Sequence, residues 1–316
     1  MIRTRGTALL AALLSLTLFA AACGDDDDAS DASSSESTSE SVSASTSDSA
    51  SASSTGISGE DLAQSTDNAL ILDAVAGYRA YVDEQIVSMQ AETAAFADAI
   101  RAGDIEAAKE QYQISRRPWE RIEPIAGLIE DIDGLVDSRA DDGVEPTDED
   151  FTGWHRLEYH LWVLEDVSEA GSYADQLEAD LETLADEFPS VELPPGVLTV
   201  GAQELIEEVA APDGKLSGEE ERYSGTDLYA FQANVEGAEA LVDLLTPALE
   251  VADADLLASI NGLFAELNGQ LGALGSFETG YPHYDEVTEE QKAEFAATLG
   301  ELAEALSLLN GTLGLA

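Results

Sequence analysis

Residues 70–96 read LILDAVAGYRAYVDEQIVSMQAETAAF, and the spacing of their apolar side chains decides the fold class. Leu70, Val75, Tyr78, Val82, Ile86, Met89 and Phe96 follow one another at steps of three, four, five or seven. That spacing lines one face of an α-helix and cannot line one face of a strand. Gly103-Asp104 interrupts the stripe, and Asp104 is placed to cap a second helix running toward Pro124. The same pattern predicts further helices over 151–166, 172–187, 198–209, 227–250, 253–274 and 288–313. Asp148-Glu149-Asp150 supplies an acidic start for the first of these. Prolines 189, 194, 195 and 212 punctuate the middle, and Gly280-Tyr281-Pro282 opens a loop before the last helix. No segment alternates as a strand would. The expected fold is all-α, with about eight helices in two side-by-side four-helix bundles and a seam near residues 189–196.

Upstream of this part the composition changes. Arg3 and Arg5 precede a short apolar run over residues 7–22, the form of a secretory signal peptide and too short to span a bilayer. Ala20-Ala21-Ala22-Cys23-Gly24 resembles a bacterial lipobox, although Ala20 stands where Leu is usual. Cleavage before Cys23 and lipidation of its thiol are expected, with a plain Ala-x-Ala cleavage site as the alternative. Residues 24–59 hold 15 serines and eight acidic residues but no Lys or Arg. Such a segment buries too little apolar surface to offset its ordering entropy, so it is read as a disordered tether. As a flexible coil its ends would stand about 30–36 Å apart. The expected organisation is a signal peptide at 1–22, a lipidated Cys23 and tether at 23–59, and a helical domain at 60–316.

The net charge of −52 excludes nucleic-acid binding and docking on anionic lipid through a basic patch, since both need clustered Lys and Arg. One cysteine cannot form an intramolecular disulfide, so packing alone must hold the fold. Residues 60–316 carry 57 acidic against 11 basic residues, and Lys109, Lys215 and Lys292 are the only lysines. A carboxylate-rich surface of this kind suits a protein exposed to high salt, where self-repulsion is screened. A cation-gathering surface is the second reading.

The chain has three histidines, His155, His160 and His283. It contains no HExxH helix, P-loop, dinucleotide fingerprint or serine-hydrolase elbow. The expectation is therefore a protein that is not an enzyme. The candidate site is Gly153-Trp154-His155-Arg156-Leu157-Glu158-Tyr159-His160. On a helix His155 and Glu158 share a face one turn apart, so an imidazole nitrogen and a carboxylate oxygen can reach a common ion. His160 lies about 140° further round and should not join it. A surface His–Glu pair has the same spacing, and in a chain this acidic the spacing alone carries little weight.

Residues 151–158 with Leu161-Trp162 resemble the HxxE segment of the imelysin-like EfeO family, extracytoplasmic components of the Efe iron-uptake system. Trp119-Glu120-Arg121-Ile122-Glu123-Pro124 is similar to a second family segment. A third block runs from Gly218-Glu219-Glu220-Glu221-Arg222-Tyr223-Ser224 through Thr226-Asp227-Leu228 to Phe231-Gln232-Ala233-Asn234-Val235-Glu236. The resemblance spans about residue 66 to the end and implies a double helical bundle. It also implies a lipid-anchored, periplasmic or cell-surface carrier that captures iron and passes it to an Efe-type permease, with a haem peroxidase as companion. Iron, as Fe3+ or Fe2+, favours carboxylate oxygen and accepts imidazole, and other divalent metals suit the same groups. His155 and Glu158 are the implied ligands. Further ligands are expected from facing helices, with Glu120 or Glu123 as candidates spaced as a same-face pair, and Asp175 and Glu236 as candidates from their helical position in or near family-like segments. Arg116, Arg117 and Arg121 are expected to pair with nearby carboxylates or to hold an anionic chelate such as citrate.

Two departures from the family pattern stand out. Gly225 replaces a histidine common before Thr-Asp-Leu, and the serine tether stands where some members carry a cupredoxin domain. The alternatives are a metal-dependent polysaccharide-binding module, which the domain's negative charge opposes, and an imelysin-type metallopeptidase. The latter lacks the glutamate that serves as base in HExxH.

Overall fold

Asn68 starts the first helix: its side chain accepts the Leu70 N–H at 3.0 Å, and α1 (Ala69–Ala102) then runs 34 residues to Gly103, which closes it at φ 71°. In this computed structural model the described residues are 65–140, 146–148, 150–211 and 214–315. The expected signal peptide, the expected lipidation site Cys23 and the expected tether lie outside them, as do Glu149, Pro212 and Asp213. The stripe faces inward as expected from Tyr78 to Phe96, but Ile71 and Ala74 are buried at its start while Leu70 is 37% exposed. The five-residue step from Leu70 to Val75 was too long for one helical face, and the true face begins one residue later.

Asp104 caps α2 (Ile105–Ile122), accepting the Ala107 N–H at 3.2 Å. A 3-10 segment, Glu123–Leu128, and α3 (Glu130–Val136) follow, neither of them expected from periodicity. The helix expected over 151–166 is shorter and broken. Thr152 precedes α4 (Gly153–Tyr159), which passes into a π-helical turn, His160–Leu164, and ends at Glu165 with φ 49°. The wider turn resets the helical phase, so His160 and Leu161 point inward while Val163 and Leu164 are exposed.

Next come α5 (Gly171–Glu187), α6 (Pro195–Ala210), α7 (Asp227–Ala252) and α8 (Ala254–Leu274). Proline at the first position lets α6 begin three residues before the expected start. Thr288 and Gln291 form a capping box on α9 (Glu289–Ser307), and a break at Leu308 separates it from α10 (Leu309–Leu313).

The described chain is helical throughout, with one isolated bridge, Ser276 to Gly280, as its β pairing. α1 packs against α2 and α5, with α3 and α4 bracing that group. α6, α7, α8 and α9 pack as a second group, and the passage between groups runs through Pro189 and Pro194. α7 also lies against α1 and α2, so one core joins both groups, from Tyr78 and Trp119 to Phe264 and Phe295. Among the described residues no helix is long and apolar enough to cross a membrane.

Candidate metal centre

Gly153 opens α4 at φ 77°, where a Cβ would lie 2.1 Å from the Val136 carbonyl oxygen. Only glycine allows this conformation and this approach, and Thr152 Oγ1 reinforces it by donating to Leu135 O at 2.8 Å. The end of α3 is thereby pressed onto the start of α4, which sets Asp137 beside His155. Trp119 and Trp154 wall this corner, their rings 6.1 Å apart, and the Trp119 indole donates to Asp137 Oδ2 at 2.9 Å.

His155 is 2% exposed, and its two ring nitrogens address different carboxylates. Nδ1 lies 3.3 Å from Glu158 Oε2. Glu158 is itself held by α7's approach turn, accepting the Tyr223 and Ser224 N–H groups on Oε1 at 3.1 and 2.8 Å. Nε2 lies 3.5 Å from Asp137 Oδ1 and 3.9 Å from Glu220 Oε1, and makes no hydrogen bond within the protein. A buried imidazole nitrogen that faces two carboxylates without a close hydrogen bond to either marks a position that a cation shared by all three groups could take.

Glu120, at the end of α2, and Glu123, one turn on, form the opposite side. Asn234 on α7 donates to Glu120 Oε2 at 3.0 Å and also to Glu123. The ammonium of Lys215, from a short 3-10 turn (Lys215–Ser217), lies 2.6 Å from Glu120, 2.7 Å from Glu123 and 3.5 Å from Glu220. Arg116 runs through the middle, pairing with Glu120 and Asp137, with Glu220 at 3.1 Å and with Glu221 at 2.6 Å. Arg139 reaches Glu220 Oε2 at 2.8 Å, and the Tyr112 hydroxyl donates to Glu221 at 2.7 Å.

Among the described residues, three sets of ligand atoms come within 4.8 Å of one another: Asp137, His155 and Glu220; His155, Glu158 and Glu221; and Glu120, Glu123 and Glu220. Donors on opposite sides of a metal ion stand about 4.0–4.4 Å apart for bonds of about 2.0–2.2 Å, so each set fits one cation with little adjustment. Oxygen with one imidazole nitrogen is the donor mixture of a hard or borderline metal.

The electrostatics show how tightly charges are balanced here. Burial and Arg116 both pull the His155 pKa down, yet the Asp137 and Glu158 carboxylates facing its two nitrogens, with the Glu221 charge, raise it to about 10. Burial opposes ionisation of Asp137, but Arg116 and His155 hold it well below the usual carboxylate range. Glu221 is pushed up to about 8 by burial, which Arg116 only partly offsets. Burial likewise raises Glu123 despite Lys215, and burial disfavours the Lys215 ammonium less than Glu120 and Glu123 favour it. In the metal-free protein, protons and basic side chains supply the positive charge the carboxylates need.

The residues expected from sequence fall into two sets. His155, Glu158, Glu120 and Glu123 belong to this one cluster, linked through Glu220, which is common to two of the three sets. Asp175 and Glu236 belong to none of them. Asp175 is 67% exposed and pairs with Arg101 at 2.9 Å, while Glu236 pairs with Arg121 at 2.7 Å and accepts from Gln232 at 2.9 Å. Helical position placed both on faces that meet arginines instead of the imidazole. Arg116 and Arg121 pair with carboxylates, and Arg117 lies 3.8 Å above the Phe277 ring.

His160 is outside the ligand sets, its Nδ1 3.1 Å from the Asp166 carbonyl oxygen. At Gly225, with φ 64°, a Cβ would fall 2.2 Å from His283 Nε2. A histidine is thus present at that turn, supplied from residue 283. Periodicity did not single out Asp137, Lys215, Glu220 or Glu221. The available signal was the run Glu219-Glu220-Glu221 within the third family-like block, which marked the segment without separating its two buried glutamates from exposed Glu219.

The fold and the cluster together define an all-helical protein that encloses a carboxylate–imidazole ligand set. The imelysin model, of peptidase family M75, matches residues 74–310. The chain belongs to that family. It is 42% identical over 261 residues to the iron uptake system component EfeO of Escherichia coli K12, covering 82% of this chain and 69% of that protein. The EfeO proteins of Shigella flexneri and of Escherichia coli O157:H7 match with the same identity and coverage.

Proposed function

We propose that this protein is a non-enzymatic iron carrier of an Efe-type uptake system, anchored outside the cytoplasmic membrane through lipidated Cys23. It captures iron as cargo and passes it to a membrane permease that works with a haem peroxidase. The observation that carries this reading is Nε2 of buried His155, held at ion-pair distance from both Asp137 and Glu220 without a close hydrogen bond to either. The names of the EfeO relatives supply the metal and the pathway.

In this reading the cation binds on the Nε2 side of His155, with Asp137 and Glu220 as oxygen ligands and Glu120 and Glu123 within reach. Glu158 holds Nδ1 and fixes the ring, the part a carboxylate commonly plays behind a metal-bound histidine. Every carboxylate ligand is already paired with Arg116, Arg139 or Lys215, so binding exchanges one set of positive partners for another. Such exchange lowers net affinity below that of a bare cage, as a carrier that must release its cargo requires.

A ferric-citrate titration of the protein tests the reading. It predicts saturable binding near one ion per chain that His155→Ala abolishes while helix content is retained. Binding that is unsaturable and indifferent to His155 contradicts it. The family's peptidase label names the competing activity, and chelator-sensitive digestion of casein or insulin chains by the pure protein would establish that activity instead.

A further inference from the structure

Lys215 stands out among the cluster's positive groups. It is 2% exposed, and its ammonium sits among the three oxygens of a ligand set: Glu120 at 2.6 Å, Glu123 at 2.7 Å and Glu220 at 3.5 Å. These carboxylates come from α2, from the 3-10 segment after it and from the approach to α7, and no cation besides Lys215 contacts Glu123 among the described residues. The ammonium therefore occupies the position that the ligand geometry offers to a cation.

The other internal cations are less replaceable. Arg116 spreads its guanidinium over Glu120, Asp137, Glu220 and Glu221 and lies 5.7 Å from the Trp154 ring centre. A planar fork with several fixed bonds cannot leave one carboxylate without leaving the others. Lysine carries a single point charge on a flexible four-carbon stem, so it can withdraw along its own length. Glu123, with 10% of its side chain exposed, is the ligand of this set nearest to solvent.

We propose that Lys215 is a tethered competitor cation: it holds Glu120, Glu123 and Glu220 in the metal-free protein and is displaced when iron entering beside His155 takes up Glu220, the glutamate common to both ligand sets, and draws on the Glu120 and Glu123 carboxylates within reach. This rests on the carrier reading above and adds the element that sets affinity and selectivity. A monovalent ion gains no more from the three carboxylates than the ammonium already does, and it lacks the ammonium's covalent tether. A divalent or trivalent ion gains two- or threefold more by charge alone. Lys215 thus raises the charge an ion must carry to enter, which excludes sodium and potassium. After displacement its return offers a route for release.

The test measures ferric-citrate affinity for the full chain carrying Lys215→Met, with Lys215→Gln as a second variant should Met disturb folding, and Lys215→Arg as the charge-retaining control. Removing the competitor is expected to tighten binding at least tenfold, even though the metal-free variant melts at a lower temperature. Arginine, harder to displace, is expected to weaken binding. A folded Met or Gln variant with unchanged or weaker affinity overturns the inference. Wild-type protein gives a readout independent of any variant's folding. Lysine side-chain 15N NMR should show a protected Lys215 ammonium that becomes solvent-exchanging on loading with gallium(III), a diamagnetic ion of ferric charge. An ammonium that stays protected in the loaded protein also overturns it. If wild type binds iron in a His155-dependent way and these results fail, only the role of Lys215 is lost. If wild type binds no iron, both this inference and the carrier reading fall.

Discussion

The carboxylates around Arg116 and those along the outer faces of α8 and α9 are the same chemical groups in opposite settings. Around Arg116, Glu120, Asp137, Glu220 and Glu221 are buried, and each meets a guanidinium. Along α8 and α9, Glu266, Glu290, Glu294, Glu301 and Glu304 face solvent, and the basic partner in that region is Lys292, 3.8 Å from Glu289. The first region draws its character from specific geometry in a low dielectric. The second draws its character from summed charge that salt can screen. Net charge describes the second region and says almost nothing about the first.

The largest expected contrast is in stability. Arg116→Met leaves several buried carboxylates uncompensated and should destabilise the metal-free protein by about 3–5 kcal/mol. Arg101→Met removes the half-exposed pairs with Asp98, Asp175 and Glu178 and should cost no more than about 1 kcal/mol. Denaturant unfolding of both variants makes the measurement, and equal losses would erase the distinction between regions.

Metal affinity sharpens the comparison next. His155→Ala should abolish binding, whereas Glu158→Gln should weaken it about 10–100-fold, the usual cost of losing a group that orients a ligand. Asp175→Asn and Glu236→Gln should stay within about twofold of wild type, since their partners are Arg101 and Arg121. Loss in Glu158→Gln as complete as in His155→Ala would move Glu158 from positioning the ring to binding the ion.

The pH dependence follows from the buried groups. Asp133 and Asp227 are raised to about 7 by burial, Glu221 to about 8, and His155, against burial, to about 10. Each raised pKa contributes stability that is complete below the unfolded value, about 4 for the carboxyls and 6.5 for the imidazole. That stability is lost as pH rises through the folded value. The melting temperature of the metal-free protein should therefore fall from pH 6 to pH 9. Iron affinity should rise over the same range, because a metal-bound imidazole must shed the proton it holds in the metal-free state. Thermal melts and titrations at three pH values check both slopes.

The smallest effect concerns the outer face. Raising salt from about 0.05 M to 1 M should stabilise the fold modestly by screening its acidic surface. It should leave binding at the buried cluster far less changed. A binding constant that collapses with salt would assign capture to the surface carboxylates.

How much of this was legible in the sequence divides along the same line. Long helices with a buried stripe announced themselves, because periods near 3.6 persist over many turns, as from Tyr78 to Phe96. The segment 123–136 did not, since a 3-10 stretch and a seven-residue helix are too short to establish a period. His155 and Glu158 were visible as a local pair, and Glu120 and Glu123 likewise. Asp137, Glu220 and Glu221 come from a helix end and an irregular turn, and they meet His155 only through tertiary packing. Lys215 was noted as one of three lysines, but nothing local reveals that its ammonium lies between two glutamates some ninety residues upstream. Asp175 and Glu236 show the converse, since favourable helical position did not foretell which partners the fold would bring to them.

The most direct test of the central claim is anomalous diffraction at the iron absorption edge from crystals of the iron-loaded protein. The account predicts one strong peak on the Nε2 side of His155, about 2.0–2.2 Å from that nitrogen and bounded by Asp137 and Glu220. Peaks scattered over solvent-facing carboxylates such as Glu290, Glu294 or Glu301, with none beside His155, would contradict it.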